Sequence, residues 1–149
     1  MKMIIAAAAA ACVLAAGAAR AEPYVDYTPM KGAWDITQVH VEPSKIDDYL
    51  TGLRKTWAPS AEIDKRHGLI DSYWVLVKID PAGSGANVLL GRHVVSLATL
   101  EPDKARDTAI DQENEKLLPK ASSEQMVKGY NNYRTFLSEG FYAPVEFPK

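Results

Sequence analysis

Polar and apolar residues alternate through residues 34–41, WDITQVHV, which puts Thr37, Val39 and Val41 on one face and Ile36, Gln38 and His40 on the other. That period predicts a first strand. EPSK supplies a stop and a helix start, with Ser44 as the expected N-cap and Asp47 and Asp48 in the first turn, where the helix dipole favours negative charge. Ile46, Tyr49, Leu50, Leu53 and Trp57 then form the stripe of an amphipathic helix, only weakened by Gly52. Pro59 predicts a kink or restart, because proline lacks an N–H and disfavours helical geometry in Ala58. Gly68 ends the helix after Lys65, Arg66 and His67, so His67 reads as a residue of the capping region.

Residues 69–79, LIDSYWVLVKI, predict a second strand that is apolar or aromatic on both faces, with Tyr73, Val75 and Val77 on one and Ile70, Trp74 and Leu76 on the other. Residues 80–86, DPAGSGA, read as a hairpin loop, since their Gly-Ser-Gly has neither the G-x-S-x-G elbow nor the Lys-Ser/Thr ending of a phosphate loop. VLLGRHVVSL, residues 88–97, is the returning strand. A symmetric hairpin sets Tyr73 opposite His93 and Trp74 opposite Arg92. Then His93, Tyr73, Gly91 and Val75 share a face, Gly91 leaves room beside His93, and Arg92 lies against Trp74; a slip of one residue exchanges the faces.

Residues 101–119 read as a charged surface helix with a thin stripe of Ala105, Ala109 and Leu117, interrupted at Pro119. Ser122 and Gln125 make a capping-box pattern ahead of Met126, Tyr130 and Tyr133, predicting a helix to about Phe136 that Ser138-Glu139-Gly140 breaks. The tail FYAPVEFPK is expected to form a last strand, held to a sheet edge by Pro144. The order is strand, helix, strand, strand, helix, strand.

The first 21 residues change this picture. Lys2, an apolar run from Ile4 to Ala16, and Ala19-Arg20-Ala21 have the layout of a signal peptide with cleavage before Glu22. The run is shorter than the roughly 18 residues of a membrane span, so a soluble chain delivered to the periplasm or secreted is expected. Cys12 lies mid-leader, away from a lipoprotein cleavage site, and is discarded with it. Removing 21 of 149 residues leaves 128, with 15 Lys and Arg against 19 Asp and Glu, a formal charge of −4. Residues 22–33 read as an extended arm and 34–149 as one domain, which is long enough for a core without disulfides. No basic excess is present to neutralise phosphates, which argues against nucleic acid as a partner. The three histidines, 27 and 26 residues apart, form no short metal-binding pair.

The element order resembles a ferredoxin-like split βαββαβ module, an α+β fold with an antiparallel sheet, and the resemblance implies strand order 4-1-3-2. One layer of helices covers one sheet face, while strands two and three are apolar on both, so the second face needs a cover. On ITQVHVEPSKIDDYLTGLRKTW, GLIDSYWVLVKI and ANVLLGRHVVSLATL, spanning about residues 34–147, the chain resembles the dimeric α+β-barrel superfamily, which includes antibiotic-biosynthesis-type monooxygenases. That resemblance implies a homodimer with sheets face to face, and a small substrate or haem in a cavity between sheet and helices.

No catalytic motif of a characterised member matches residue by residue. The candidate chemistry rests on His40, Tyr73 and His93 as proton-transfer or oxyanion groups, and on Arg92, Trp74 and Trp57 as ligand contacts. The competing structural explanation is a hydrogen-bonded core or interface, with Arg92 paired to an acid such as Asp71 and the aromatics packed in the core. The expected function is an exported binder of a small apolar or aromatic molecule with no assignable reaction. The alternative is a cofactor-independent monooxygenase or isomerase.

Overall fold

A computed structural model describes residues 20–149. The leader expected over residues 1–21 therefore lies, through residue 19, outside the described residues. The chain is α+β, with a four-stranded antiparallel sheet in the order β3-β4-β2-β5, formed by β2 (Ala33–Val41), β3 (Ile70–Val77), β4 (Val88–Val94) and β5 (Arg134–Tyr142). In the arm, β1 (Thr28–Pro29) pairs with β6 (Val145–Glu146), and the Met30 N–H donates to the Pro144 carbonyl at 2.9 Å.

Between β2 and β3 run α1 (Ile46–Lys55) and α2 (Trp57–Arg66). Ser44, the expected cap, sits inside a short 3-10 turn, Pro43–Lys45, and caps nothing. The helix breaks at Thr56, three residues before Pro59. Pro59 then falls in the first turn of α2, where a missing N–H leaves no helical bond unmade. Gly68, at φ +72°, takes the left-handed position after α2, and the Leu69 N–H closes the turn on the Asp64 carbonyl at 3.0 Å.

Between β4 and β5 run α3 (Lys104–Leu117), capped by the Asp103 carboxylate on the N–H groups of Ala105 and Arg106, and α4 (Lys120–Tyr130). The expected stripe of α3 is not its buried face: Ile110 is the residue it buries. Ser122 lies within α4 and does not cap it. The helix stops at Tyr130, and residues 134–142 are strand, not the helix end and break expected there. Pairing along β2 decides this: β5 follows it from Val41↔Arg134 to Trp34↔Tyr142, with a bulge at Gln38/Val39. The long-range ladder overrides a helical stripe whose last member, Tyr133, packs against the core from the connection.

The helices cover one face of the sheet. Val39, Val41, Val88 and Leu90 meet Ile46, Tyr49, Leu53 and Tyr130 in the main core, and Tyr49 is fully buried. Gly52, a weakness in the helix by propensity, is buried where an added Cβ would strike the Tyr130 hydroxyl. Its absent side chain lets α4's last residue close on α1. At the hairpin end, the buried Asn87 side chain accepts from the Val41 N–H at 2.8 Å and donates to the Val41 carbonyl at 2.7 Å, extending the strand ladder with a side chain.

Candidate functional site

The hairpin register differs by one residue from the symmetric expectation. Tyr73 faces Arg92, Trp74 faces Gly91 and Ser72 faces His93, with an irregularity between Ile70 and Ser72. The faces exchange accordingly. Arg92 joins Tyr73, Val75 and Leu90 under the helices, while His93 and Trp74 turn to the opposite face with Trp34, its partner across β4 from β2.

Under the helices lies a cavity of about 480 Å³, a size common for small-ligand sites. Leu53, Trp57, Leu90, Val127 and Phe136 give it apolar walls, and Asp35, Arg92, Arg134 and Glu139 give it charge. At one end, Asp35 of β2 stands opposite Arg92 of β4, while Glu139 of β5 stands opposite Thr37. Burial, then the neighbouring Glu139 carboxylate, push the Asp35 carboxyl above its ordinary range, and Arg92 offsets part of this. Arg92 lies over the Trp57 ring at 5.1 Å and reaches Asp64 at 3.4 Å. Its acid is thus Asp64, not Asp71, and its aromatic partner is Trp57, not Trp74. Burial raises the Asp64 carboxyl too, against the pull of Arg92. The Arg92 Nε is buried without a hydrogen-bond partner, a condition that costs about 1–3 kcal/mol unless something satisfies the donor.

At the other end stands Arg134. Its guanidinium lies 4.5 Å from the Phe136 ring centre, 5.1 Å from Tyr130 and 5.6 Å from Tyr49, and it donates to the Tyr49 hydroxyl at 3.3 Å and the Asn131 side-chain oxygen at 3.4 Å. Among the described residues it makes no salt bridge, and its Nε is also buried without a partner. Burial raises the Tyr49 phenol, and the Arg134 hydrogen bond holds it back.

Two of the six sequence-level candidates, Arg92 and Trp57, therefore line this cavity. Tyr73 packs edge-on against Trp57 at 5.5 Å but turns its hydroxyl outward to Glu62 at 2.8 Å, along a shallow groove with Pro59 and Glu113. His67, expected to serve the helix end, does so as the C-cap residue of α2 and meets Glu113 at 2.8 Å. The other three candidates are on the far face. There His93 stacks on Trp34 at 4.9 Å and meets Asp71 at 2.9 Å, Trp34 meets Trp74 at 5.5 Å, and His40 meets the Gly85 carbonyl at 2.9 Å. Gly91 makes room for the Trp74 indole, which an added Cβ would enter, rather than for His93. A hydrogen bond from Ser72, then one from His93, hold Asp71 below the ordinary carboxylate range.

Asp35, Glu139 and Arg134 were not singled out from sequence. Asp35 carried a signal, since it alternates with Thr37, Val39 and Val41 on the buried face of β2. Glu139 and Arg134 were hidden by the misplaced last strand. Among the described residues, no group of three or more His, Cys, Asp or Glu is placed to hold a metal ion, and no helix is long and apolar enough to cross a membrane. Comparison with protein-family models, curated proteins and solved structures finds no match.

Proposed function

We propose that this protein is an exported ligand-binding protein of ferredoxin-like, dimeric α+β-barrel type, which holds a small molecule with an apolar or aromatic body between its sheet and helices. The observation that carries this reading is the cavity between sheet and helices, with the Arg92 guanidinium laid on Trp57 at its wall. The Trp57 and Phe136 rings would cover the ligand body, and the charged lining groups would meet its polar ends. The alternative of a monooxygenase or isomerase gains one support, the raised carboxyl of Asp35 at the same end, and loses another, since His40, His93 and Tyr73 do not line the cavity. Haem gains no support, because no histidine lines the cavity.

The far sheet face supports the homodimer. Trp34, Ile36, Trp74, Leu76, Leu89 and Tyr142 project there, opposite the helices, and Leu76 and Tyr142 are about half exposed. A second copy of the sheet would cover them. Small molecules extracted from the protein after purification from its own host and identified by mass spectrometry test the binding reading. One compound at near one equivalent is expected in wild type, falling about tenfold or more in Arg92→Ala and Trp57→Ala but not in His40→Ala. No compound in wild type, or an equal yield in all, would overturn it.

A further inference from the structure

The charges lining the cavity are sorted by end. At the Asp35 end the lining holds two carboxylates, Asp35 and Glu139, and one guanidinium, Arg92, whose charge is met by Asp64 outside the lining at 3.4 Å, so this end carries an acidic excess. Around Arg134, one guanidinium stands among Tyr49, Tyr130 and Phe136 with no carboxylate within salt-bridge distance among the described residues. Asp35 and Val41, the β2 residue paired with Arg134, are six positions apart, roughly 20 Å of strand. The Arg134 side chain shortens that gap by folding back over Phe136, whose backbone pairs with Val39. Between the ends the wall is Leu53, Leu90 and Val127.

We infer that the ligand is bipolar: an elongated small molecule with an amine-type cation at the Asp35–Glu139 end, an anionic group at Arg134 and an apolar span between them. This rests on the binding reading above and specifies the chemistry of the same site. The cation relieves the repulsion between the partly buried Asp35 carboxylate and the exposed Glu139 carboxylate near it. The anion gives Arg134 the acceptor that its long bonds to Tyr49 and Asn131 only partly provide, and a planar guanidinium suits a carboxylate. A ligand of reversed polarity sets its anion beside Asp35 and Glu139 and its cation beside Arg134, so the net charge at each end disfavours that orientation.

Isothermal titration of the full mature protein with three probes built on one saturated eight-carbon chain tests this: the terminal amino acid, the diamine and the dicarboxylate. The amino acid is expected to bind about tenfold more tightly than either symmetric probe. Glu139→Gln should erase its advantage over the dicarboxylate, and Arg134→Gln its advantage over the diamine. Arg134→Lys, which keeps the charge, should retain the latter and so guards against a variant that merely misfolds. Equal binding of the three probes, no binding by any, or variants that change all three affinities alike would overturn the bipolar assignment. Whether the cavity is a ligand site at all is read separately, from the compound extracted with the native protein.

Discussion

The two faces of the sheet use similar residue types in opposite ways. Under the helices, charged side chains stand in an apolar cavity with two guanidinium donors unpaired, and an aromatic ring, Trp57, serves as a platform for one of them. On the far face, the aromatics Trp34 and Trp74 pack on each other and on His93, whose ring nitrogen has its acid in Asp71. Polar groups near an aromatic therefore do not by themselves mark a site. The difference is satisfaction: the far-face histidines each have a partner, whereas the cavity side holds guanidinium donors without acceptors and one acid, Asp35, that burial disfavours.

The largest expected contrast is in stability. Tyr49→Ala removes a fully buried ring from the helix-side core and should cost about 3–5 kcal/mol in denaturant unfolding. Trp74→Ala, on the half-open face, should cost much less in the same experiment at protein concentrations where the chain is monomeric. An equal loss would erase the distinction between a packed face and an open one. Gly52→Ala comes next. In an ordinary helix this change stabilises by about 0.5–1 kcal/mol, but the collision with the Tyr130 hydroxyl should reverse the sign and cost about 1–3 kcal/mol. A higher melting temperature would show that Tyr130 does not occupy that notch.

The smallest expected effect has the most to say about the cavity. Asp35 has a raised pKa when folded, so the folded chain binds its proton more readily than the unfolded chain does. Below the ordinary carboxylate range both states are protonated and Asp35 contributes no pH-dependent penalty. As pH rises from the unfolded pKa through the folded one, stability is lost, and the penalty is constant above that. Asp35→Asn should therefore raise the melting temperature slightly at neutral pH, with the gain shrinking as pH falls through that window. A ligand-binding group is often kept at such a cost. A neutral-pH melting temperature that falls on this substitution would mean that Asp35 is structurally paired rather than held in reserve.

Much of the fold was legible because local patterns and tertiary packing agree there. From the alternation of Thr37, Val39 and Val41, the two valines meet the stripe of Ile46, Tyr49 and Leu53 in the core, and Thr37 lines the cavity beside them. Legibility failed where a distant partner decides. Nothing local in RTFLSEGFY outweighs the helical spacing of Met126, Tyr130 and Tyr133, yet β2 recruits it as a strand. The hairpin register, which sets Tyr73 opposite Arg92 rather than His93, is equally invisible in the sequence, and it puts Arg92 on the face of Tyr73 and His93 on the face of Trp74. Half of the cavity's charge was thus unreadable, not because Glu139 and Arg134 are unusual residues but because their strand had not been placed.

Native mass spectra of the protein from its own host, recorded for wild type, Trp57→Ala and Trp74→Glu, test most directly whether the two faces have separate roles. Wild type is expected as a dimer that retains a small molecule. Trp57→Ala should keep the dimer and lose the bound mass, while Trp74→Glu should lose the dimer. A bare monomer in wild type, or a bound mass untouched by Trp57→Ala, would contradict the account.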